Sequence, residues 1–326
     1  MPDATNVLII TGLTLPEVPA PHLERIRATL GPDGQVTVAT TRAEALAAAP
    51  TADVILGFLD PELFAVCERL RWVHAIASGV DAFMFPEFLA GDVVLTGEKG
   101  LVGGHLADHA FALLLAITRR LAAAVRLGPA AWEQRVAFRR EEIELEGLTM
   151  GIVGFGGTGR AVARRAAAFG MRCRAVDRDA VEGTPEAPLV HPMSHFPRLL
   201  EQSDVVAVCC PLTDETRYLF DDAAFARMKP SAILINVTRG EIVDGDALVR
   251  AVESGAIAGA GLDVAPGEPL PSDHPLWRLE TVVMTPHTAG ASQLRAGRNL
   301  DRFTENLRRF QNGRPLVGVV DTALGY

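Results

Sequence analysis

Residues 149–159 read T-M-G-I-V-G-F-G-G-T-G, and no other stretch restricts the fold of this 326-residue chain as strongly. A short apolar run from Met150 to Val153 meets Gly154-Phe155-Gly156-Gly157-Thr158-Gly159, and an alanine-rich helical pattern follows over 160–169. Strand, G-x-G-x-x-G turn and helix start come in the order a dinucleotide-binding fold requires. Gly154 allows the tight turn, Gly156 lets a pyrophosphate approach the backbone, and Gly159 lets helix and strand pack closely. The N–H groups and positive dipole end of the helix then face the phosphates. The glycine pattern alone is a weak signal, and its context strengthens it. Residues 172–176 read as the next strand, closed by Asp177, 18 residues past Gly159. A carboxylate there suits the ribose hydroxyls of NAD.

A chain of this length holds one large or two ordinary domains. With 48% hydrophobic and 22% charged residues it reads as a globular enzyme. A net charge of −9 disfavours a general affinity for nucleic acid or for anionic membrane. The most apolar segment, 110–117, is too short to span a bilayer, and no basic region precedes the first apolar run as in a secretory signal. Cys67, Cys173, Cys209 and Cys210 show no C-x-x-C spacing, so a reduced, cytoplasmic protein is expected.

Before the glycine turn, candidate strands at 7–10, 35–39, 54–58, 72–77 and 93–96 alternate with helical stretches at 22–30, 42–48, 61–70 and 81–89. Such alternation predicts a parallel α/β sheet. One long helical pattern then covers 101–127, broken by Gly128-Pro129. Residues 129–148 are charged and irregular, with Trp132 and Phe138 among Arg and Glu. This arm either packs on a partner subunit or folds back onto its own domain. Further strands are expected at 205–210, 233–237, 259–264 and 282–285, then a helix over 292–310 and an apolar tail at 315–320. The fold class is therefore α/β.

Three late strand ends concentrate unusual polar residues. Asn236-Val237-Thr238-Arg239-Gly240 puts an arginine where ligands of open α/β sheets collect. Residues 261–269, G-L-D-V-A-P-G-E-P, hold Glu268 between glycine and proline, and 285–290, T-P-H-T-A-G, present His287 in a turn. An arginine grips a carboxylate in a bidentate manner and polarises a neighbouring carbonyl. A histidine titrates near neutrality and exchanges the alcohol proton, and a carboxylate bonded to it favours the imidazolium. Together they would let a hydride pass between nicotinamide and a 2-oxo or 2-hydroxy acid. Singly, each has a plainer reading, as a surface cation, a solvated turn residue and a capping residue. A separate pattern, His105-x-x-Asp108-His109 on one helix, has the i, i+4 spacing of a metal site, but Asp108 is short for that chemistry and no third ligand is evident.

The linked motifs G-F-G-G-T-G (154–159), C-P-L-T (210–213), N-V-T-R-G-E-I-V-D (236–244), G-L-D-V-A-P-G-E-P-L (261–270) and T-P-H-T-A-G (285–290) resemble the D-isomer-specific 2-hydroxyacid dehydrogenase family over nearly the whole chain. The resemblance implies two Rossmann-like, doubly wound parallel-sheet domains with an interdomain cleft. A substrate-binding, flavodoxin-like domain would take 1–99 plus 291–326, and an NAD-binding domain 100–290. It also implies a catalytic set of Arg239, Glu268 and His287, and a loop including Ser78 and Gly79 that holds the substrate carboxylate. Gly154, Gly156, Gly157, Thr158, Gly159, Asp177, Cys210, Pro211, Thr216, Val237, Thr238, Asp263 and His287 would line the cofactor, and a homodimer is usual. No metal is implied.

Some residues depart from that pattern. Ala265-Pro266-Gly267 stands where a bulkier Phe-Glu-Pro run is common, and Gly157 stands where arginine is frequent. The pair Asp177-Arg178 sets the cofactor. The aspartate favours NAD over NADP, while Arg178 either attracts a 2′-phosphate or stacks on adenine. The expected activity is reduction of small 2-oxo acids, glyoxylate or hydroxypyruvate first. Glu268 argues against formate dehydrogenase, which pairs its histidine with glutamine. Phosphite dehydrogenase and an NAD(H)-binding corepressor without turnover remain as rival readings.

Overall fold

The computed structural model describes residues 4–77 and 79–326. Two compact units divide the chain, Met1–Val102 with Ala291–Tyr326, and Gly103–Gly290. The first is built on β1 (Asn6–Ile10), β2 (Gln35–Ala39), β3 (Val54–Leu56), β4 (Trp72–His74) and β5 (Val94–Thr96), with α1 (Ala20–Leu30), α2 (Arg42–Ala48), α3 (Pro61–Ala65) and α4 (Pro86–Leu89) between them. All its strand pairs are parallel, in the order β2-β1-β3-β4-β5. Val54, Ile55 and Leu56 are all buried, as in a central parallel strand covered on both faces. Local signals set the helix starts. Thr41 accepts from the Glu44 N–H, and the Glu44 carboxylate accepts from the Thr41 N–H, so the two residues box the first turn of α2.

The second unit begins with α5 (Gly103–Thr118), α6 (Leu121–Leu127) and α7 (Arg135–Glu141). It continues through β6 (Thr149–Val153), α8 (Gly157–Ala168), β7 (Arg172–Asp177), β8 (Val190–Pro192), α9 (Phe196–Gln202), β9 (Val205–Val208), α10 (Asp222–Phe225), β10 (Ile233–Asn236), α11 (Gly245–Glu253), β11 (Gly259–Leu262) and β12 (Val282–Met284). The strands form one parallel sheet, β12-β11-β10-β9-β6-β7-β8. Strand order reverses beside β6, the topological switch point at which such sheets bind ligands. Both sheets are of the Rossmann-like parallel α/β class that the alternation predicted.

The chain then returns to the first unit through α12 (Arg295–Gln311), which buries Leu300, Phe303 and Leu307 along one face. Phe303 stacks on Trp72 with ring centroids 5.1 Å apart. Glu98, 1% exposed, accepts from Arg295 Nε at 3.0 Å and from Asn299 Nδ2 at 3.0 Å, so its charge is buried only with partners. The apolar tail ends against β5, where Val320 donates to Leu95 at 2.9 Å.

Several elements differ from the sequence expectation: the helix over 61–70 stops at Ala65, and 81–89 is a 3-10 turn, Asp81–Phe83, followed by the short α4. The helix over 101–127 is two helices, because the Thr118 carbonyl accepts from Ile143 N and Arg120 turns left-handed at φ 54°. The arm contains a helix, α7, clamped by Arg120–Glu141 at 3.1 Å and Arg119–Glu142 at 2.6 Å rather than by an apolar stripe. Within it Phe138 lies under the Arg120 guanidinium at 5.8 Å, while Trp132 stands 78% exposed. Edge strand β8 has three residues and ends in proline, too little pattern to read. No helix among the described residues is long and apolar enough to cross a membrane.

Candidate active site

The glycine turn follows β6 and is shaped by close approaches at two positions. At Gly154, where φ is +92°, a Cβ would stand 2.6 Å from Cys210 N, and at Gly159 it would stand 2.1 Å from Gly154 O. Any larger residue would push the turn off β9 or α8 off the turn. Gly156, which caps α8, is different, since a Cβ there meets nothing within 4 Å. It keeps open the space beside the backbone at the helix start. Gly157 and Thr158 form the first turn of α8, and α5 packs so tightly here that a Cβ on Gly103 would lie 2.4 Å from Gly157 O.

Asp177, ending β7, accepts from Phe155 N at 2.6 Å and from Asp179 N at 2.9 Å. Its carboxylate is thereby fastened to the glycine turn, one residue from Gly156. Arg178 directs its guanidinium to Asp179, at 3.2 and 3.3 Å. After β9, Cys210 is buried, and burial pushes its thiol up to about 12. Thr216 donates to the Pro211 carbonyl at 2.8 Å and accepts from Thr213 N at 2.8 Å, which closes the loop after Pro211 on itself.

Buried Asn236, the last residue of β10, organises the exit of that strand. Its Oδ1 accepts from Thr238 N at 3.0 Å and Thr238 Oγ1 at 3.1 Å, while Nδ2 donates to the Arg239 carbonyl at 2.8 Å. The bend follows Val237, which is buried, and sets Arg239 at the strand's carboxyl end. Arg239 Nη1 also donates to the Thr238 carbonyl at 2.8 Å. Gly240 lets this loop touch the next one, since a Cβ there would meet Ala265 O at 1.7 Å. No side chain other than hydrogen fits that contact.

Glu268 and His287 meet directly. His287 Nδ1 lies 2.7 Å from Glu268 Oε2, and Glu268 Oε1 accepts from Ala265 N at 3.0 Å. Both side chains stay partly open, 44% for His287 and 39% for Glu268. His287 holds φ at 53°, a left-handed conformation uncommon outside glycine. The structure therefore brings Glu268 and His287 together at the carboxyl ends of β11 and β12, with Arg239 on the adjoining loop after β10.

Asp263 lies behind this pair. It is 1% exposed and accepts from Thr285 Oγ1 at 2.6 Å, Thr288 N at 2.9 Å and Ala289 N at 2.7 Å. Its carbonyl accepts from His287 N at 2.8 Å. From α5, His109 Nε2 approaches Thr285 Oγ1 at 2.7 Å and Asp263 Oδ1 at 3.3 Å. Asp108, its neighbour in sequence, pairs instead with Arg165 at 2.7 Å. Among the described residues no group of three or more His, Cys, Asp or Glu could hold a metal ion. Gly79 belongs to the other unit, after β4, and Ser78 lies outside the described residues. Asn236 and Thr285 belong to no site pattern that the sequence alone marks. Their signal was position, at the carboxyl ends of β10 and β12.

A family model, D-isomer specific 2-hydroxyacid dehydrogenase, NAD binding domain, matches residues 111–289. A glyoxylate reductase of Korarchaeum cryptofilum is 40% identical over 266 residues, covering 78% of this chain and 77% of its own. A D-isomer specific 2-hydroxyacid dehydrogenase family protein from Aeromonas salmonicida superposes with a TM-score of 0.81 at 28% identity, over 98% of this chain and 99% of that one. A D-isomer specific 2-hydroxyacid dehydrogenase from Xanthobacter autotrophicus Py2, solved with NADPH and MES, also has a TM-score of 0.81, at 27% identity, over 99% of this chain and 100% of that one. Motifs, both sheets and these likenesses agree along most of the chain, which belongs to the D-isomer-specific 2-hydroxyacid dehydrogenase family of NAD(P)-linked oxidoreductases acting on 2-oxo and 2-hydroxy acids.

Proposed function

We propose that this protein reduces small 2-oxo acids to D-2-hydroxy acids with NADH, and that glyoxylate and hydroxypyruvate are its best substrates. The observation that carries the reading is the bond between His287 Nδ1 and Glu268 Oε2 at 2.7 Å. A carboxylate only accepts, so Nδ1 holds a proton there and Nε2 is the atom that delivers one to the oxygen forming on C2. Arg239 binds the substrate carboxylate and polarises the adjoining carbonyl. Glyoxylate is favoured because the relative that is 40% identical is a glyoxylate reductase.

A nicotinamide dinucleotide fits the residues around the turn. The space that a Cβ on Gly156 would fill stands open beside the first N–H groups of α8. Gly154, Gly156, Gly157, Thr158 and Gly159 would hold the pyrophosphate, and Asp177 the adenosine ribose. Cys210, Pro211, Thr216, Val237, Thr238 and Asp263 would form the remaining wall. The group supplies the hydride when bound. NADH is preferred because the Asp177 carboxylate repels a 2′-phosphate, and Arg178 is directed to Asp179. NADPH in the Xanthobacter structure makes that choice worth testing directly.

The arm supports a homodimer, since Trp132 and its neighbours Val125 and Val136 are exposed in the single chain. Light scattering on the purified protein tests that. The activity is tested by following NADH and NADPH oxidation in parallel against glyoxylate, hydroxypyruvate, pyruvate, phenylpyruvate and 2-oxoisocaproate. Turnover fastest with NADH and the two smallest substrates is expected. Silence across the panel with cofactor still binding would overturn the reading.

A further inference from the structure

We propose that His109 and Thr285 are positioning residues for His287, holding the turn in which it stands through the buried Asp263 carboxylate. This rests on the reading of His287 as the proton donor. Thr285 Oγ1 carries one proton and has two close polar partners, Asp263 Oδ1 at 2.6 Å and His109 Nε2 at 2.7 Å. The carboxylate can only accept, so the hydroxyl proton goes to Asp263. Thr285 must then accept from His109, whose Nε2 therefore carries a proton. Donor and acceptor directions are fixed along the whole chain, His109 to Thr285 to Asp263.

The rest of the turn closes around the same carboxylate. Thr288 N and Ala289 N donate to it at 2.9 and 2.7 Å, and His287 N donates to the Asp263 carbonyl at 2.8 Å. Asp263 is buried, so these bonds do not compete with water. His287 itself sits at φ 53°, a conformation that persists where surrounding bonds over-determine it. The outer end of the chain is the middle of α5, whose Ala110, Leu113 and Leu114 are buried in the unit's core. A rigid helix thus anchors the turn that aims the imidazole at Glu268. Charged groups bonded to the turn include Glu268 and Asp263, with His109 behind Asp263.

The test uses Thr285→Val, which removes the hydroxyl, Thr285→Ser, which restores it, His109→Ala, and His109→Gln, whose amide can still donate. Reduction kinetics are measured together with the downfield proton resonance of His287 Nδ1–H, assigned by its loss in His287→Ala. In T285V and H109A we expect kcat to fall at least tenfold with the KM for NADH little changed. The Nδ1–H resonance should disappear. T285S and H109Q should recover both kcat and the resonance. If T285V does not fold, the two His109 variants carry the comparison.

Wild-type kcat and an intact resonance in T285V and H109A would overturn the proposal, even with H287A inactive. An active H287A would instead overturn the catalytic reading, while the resonance would still report on the turn.

Discussion

Glu268 joins His287 to its own loop, one carboxylate oxygen lying 2.7 Å from the imidazole Nδ1 and the other 3.0 Å from the Ala265 N–H it accepts. Glutamine at 268 would keep one acceptor and gain a donor, so it can serve only one of those two partners. Glu268→Gln should therefore lower kcat for 2-oxo acid reduction at least tenfold. His287→Ala should cost about 10²–10⁴-fold, the usual contribution of a positioned acid. Steady-state rates check both, with cofactor binding by fluorescence as the control. Near-normal rates in H287A would remove His287 from the chemistry.

Gly156 and Gly159 share one turn but carry opposite constraints. A Cβ on Gly159 would lie 2.1 Å from a backbone oxygen, whereas one on Gly156 meets nothing within 4 Å. Gly159→Ala should destabilise the fold by about 1–3 kcal/mol or more, as overpacking does. Gly156→Ala should leave the melting temperature nearly unchanged and weaken NADH binding at least tenfold. Thermal melts beside an NADH titration separate the two effects. If G156A binds NADH like the wild type, the pyrophosphate does not pass over residue 156.

Legibility in the sequence follows the range of the interaction. The glycine turn, Asp177 and the residues Arg239, Glu268 and His287 each sit beside a strand end, so local pattern and family motifs find them. His109 does not, because its hydrogen-bond partner Thr285 is 176 residues away. Read alone, its spacing from His105 is that of a metal site lacking a third ligand, while the fold turns Asp108 to Arg165 and His109 to the turn that holds His287. The break at Arg120 leaves no glycine or proline as a marker. It arises because Ile143 N takes the Thr118 carbonyl, a contact made by a distant segment. Helix α7 is hidden for a related reason, as ion pairs to Arg119 and Arg120 stabilise it instead of hydrophobic periodicity.

Asp177 combines two roles that one substitution can separate. In the proposed function its charge selects the cofactor, and in the structure its oxygens accept from Phe155 N and Asp179 N. Asp177→Asn removes the charge but keeps one acceptor, and Asp177→Ala removes both. In D177N the ratio of kcat/KM for NADPH over NADH should rise about tenfold, equivalent to about 1.4 kcal/mol. D177A should shift the ratio similarly and also lower thermal stability, since the Phe155 N–H loses its partner. An unchanged ratio in D177N would place cofactor selection elsewhere, with Arg178→Ala as the next variant.

His74, at the end of β4, makes stability depend on pH. It is fully buried beside Trp72 and Phe303, with Nδ1 at 2.6 Å from Thr96 Oγ1. Burial foremost, and then the Arg302 charge, lowers its pKa from 6.5 to about 3. The folded protein thus keeps His74 neutral where the unfolded chain binds a proton. The contribution is complete above pH 6.5 and is lost as pH falls from there toward about 3. Within that window one proton corresponds to a slope of about 1.4 kcal/mol per pH unit. Urea unfolding at pH 7, 6 and 5 should show the folded state weakening with acid, and His74→Gln should flatten the dependence by up to that slope, whatever its stability at pH 7. A His74→Gln curve parallel to the wild type would mean that other groups take up the acid-linked proton.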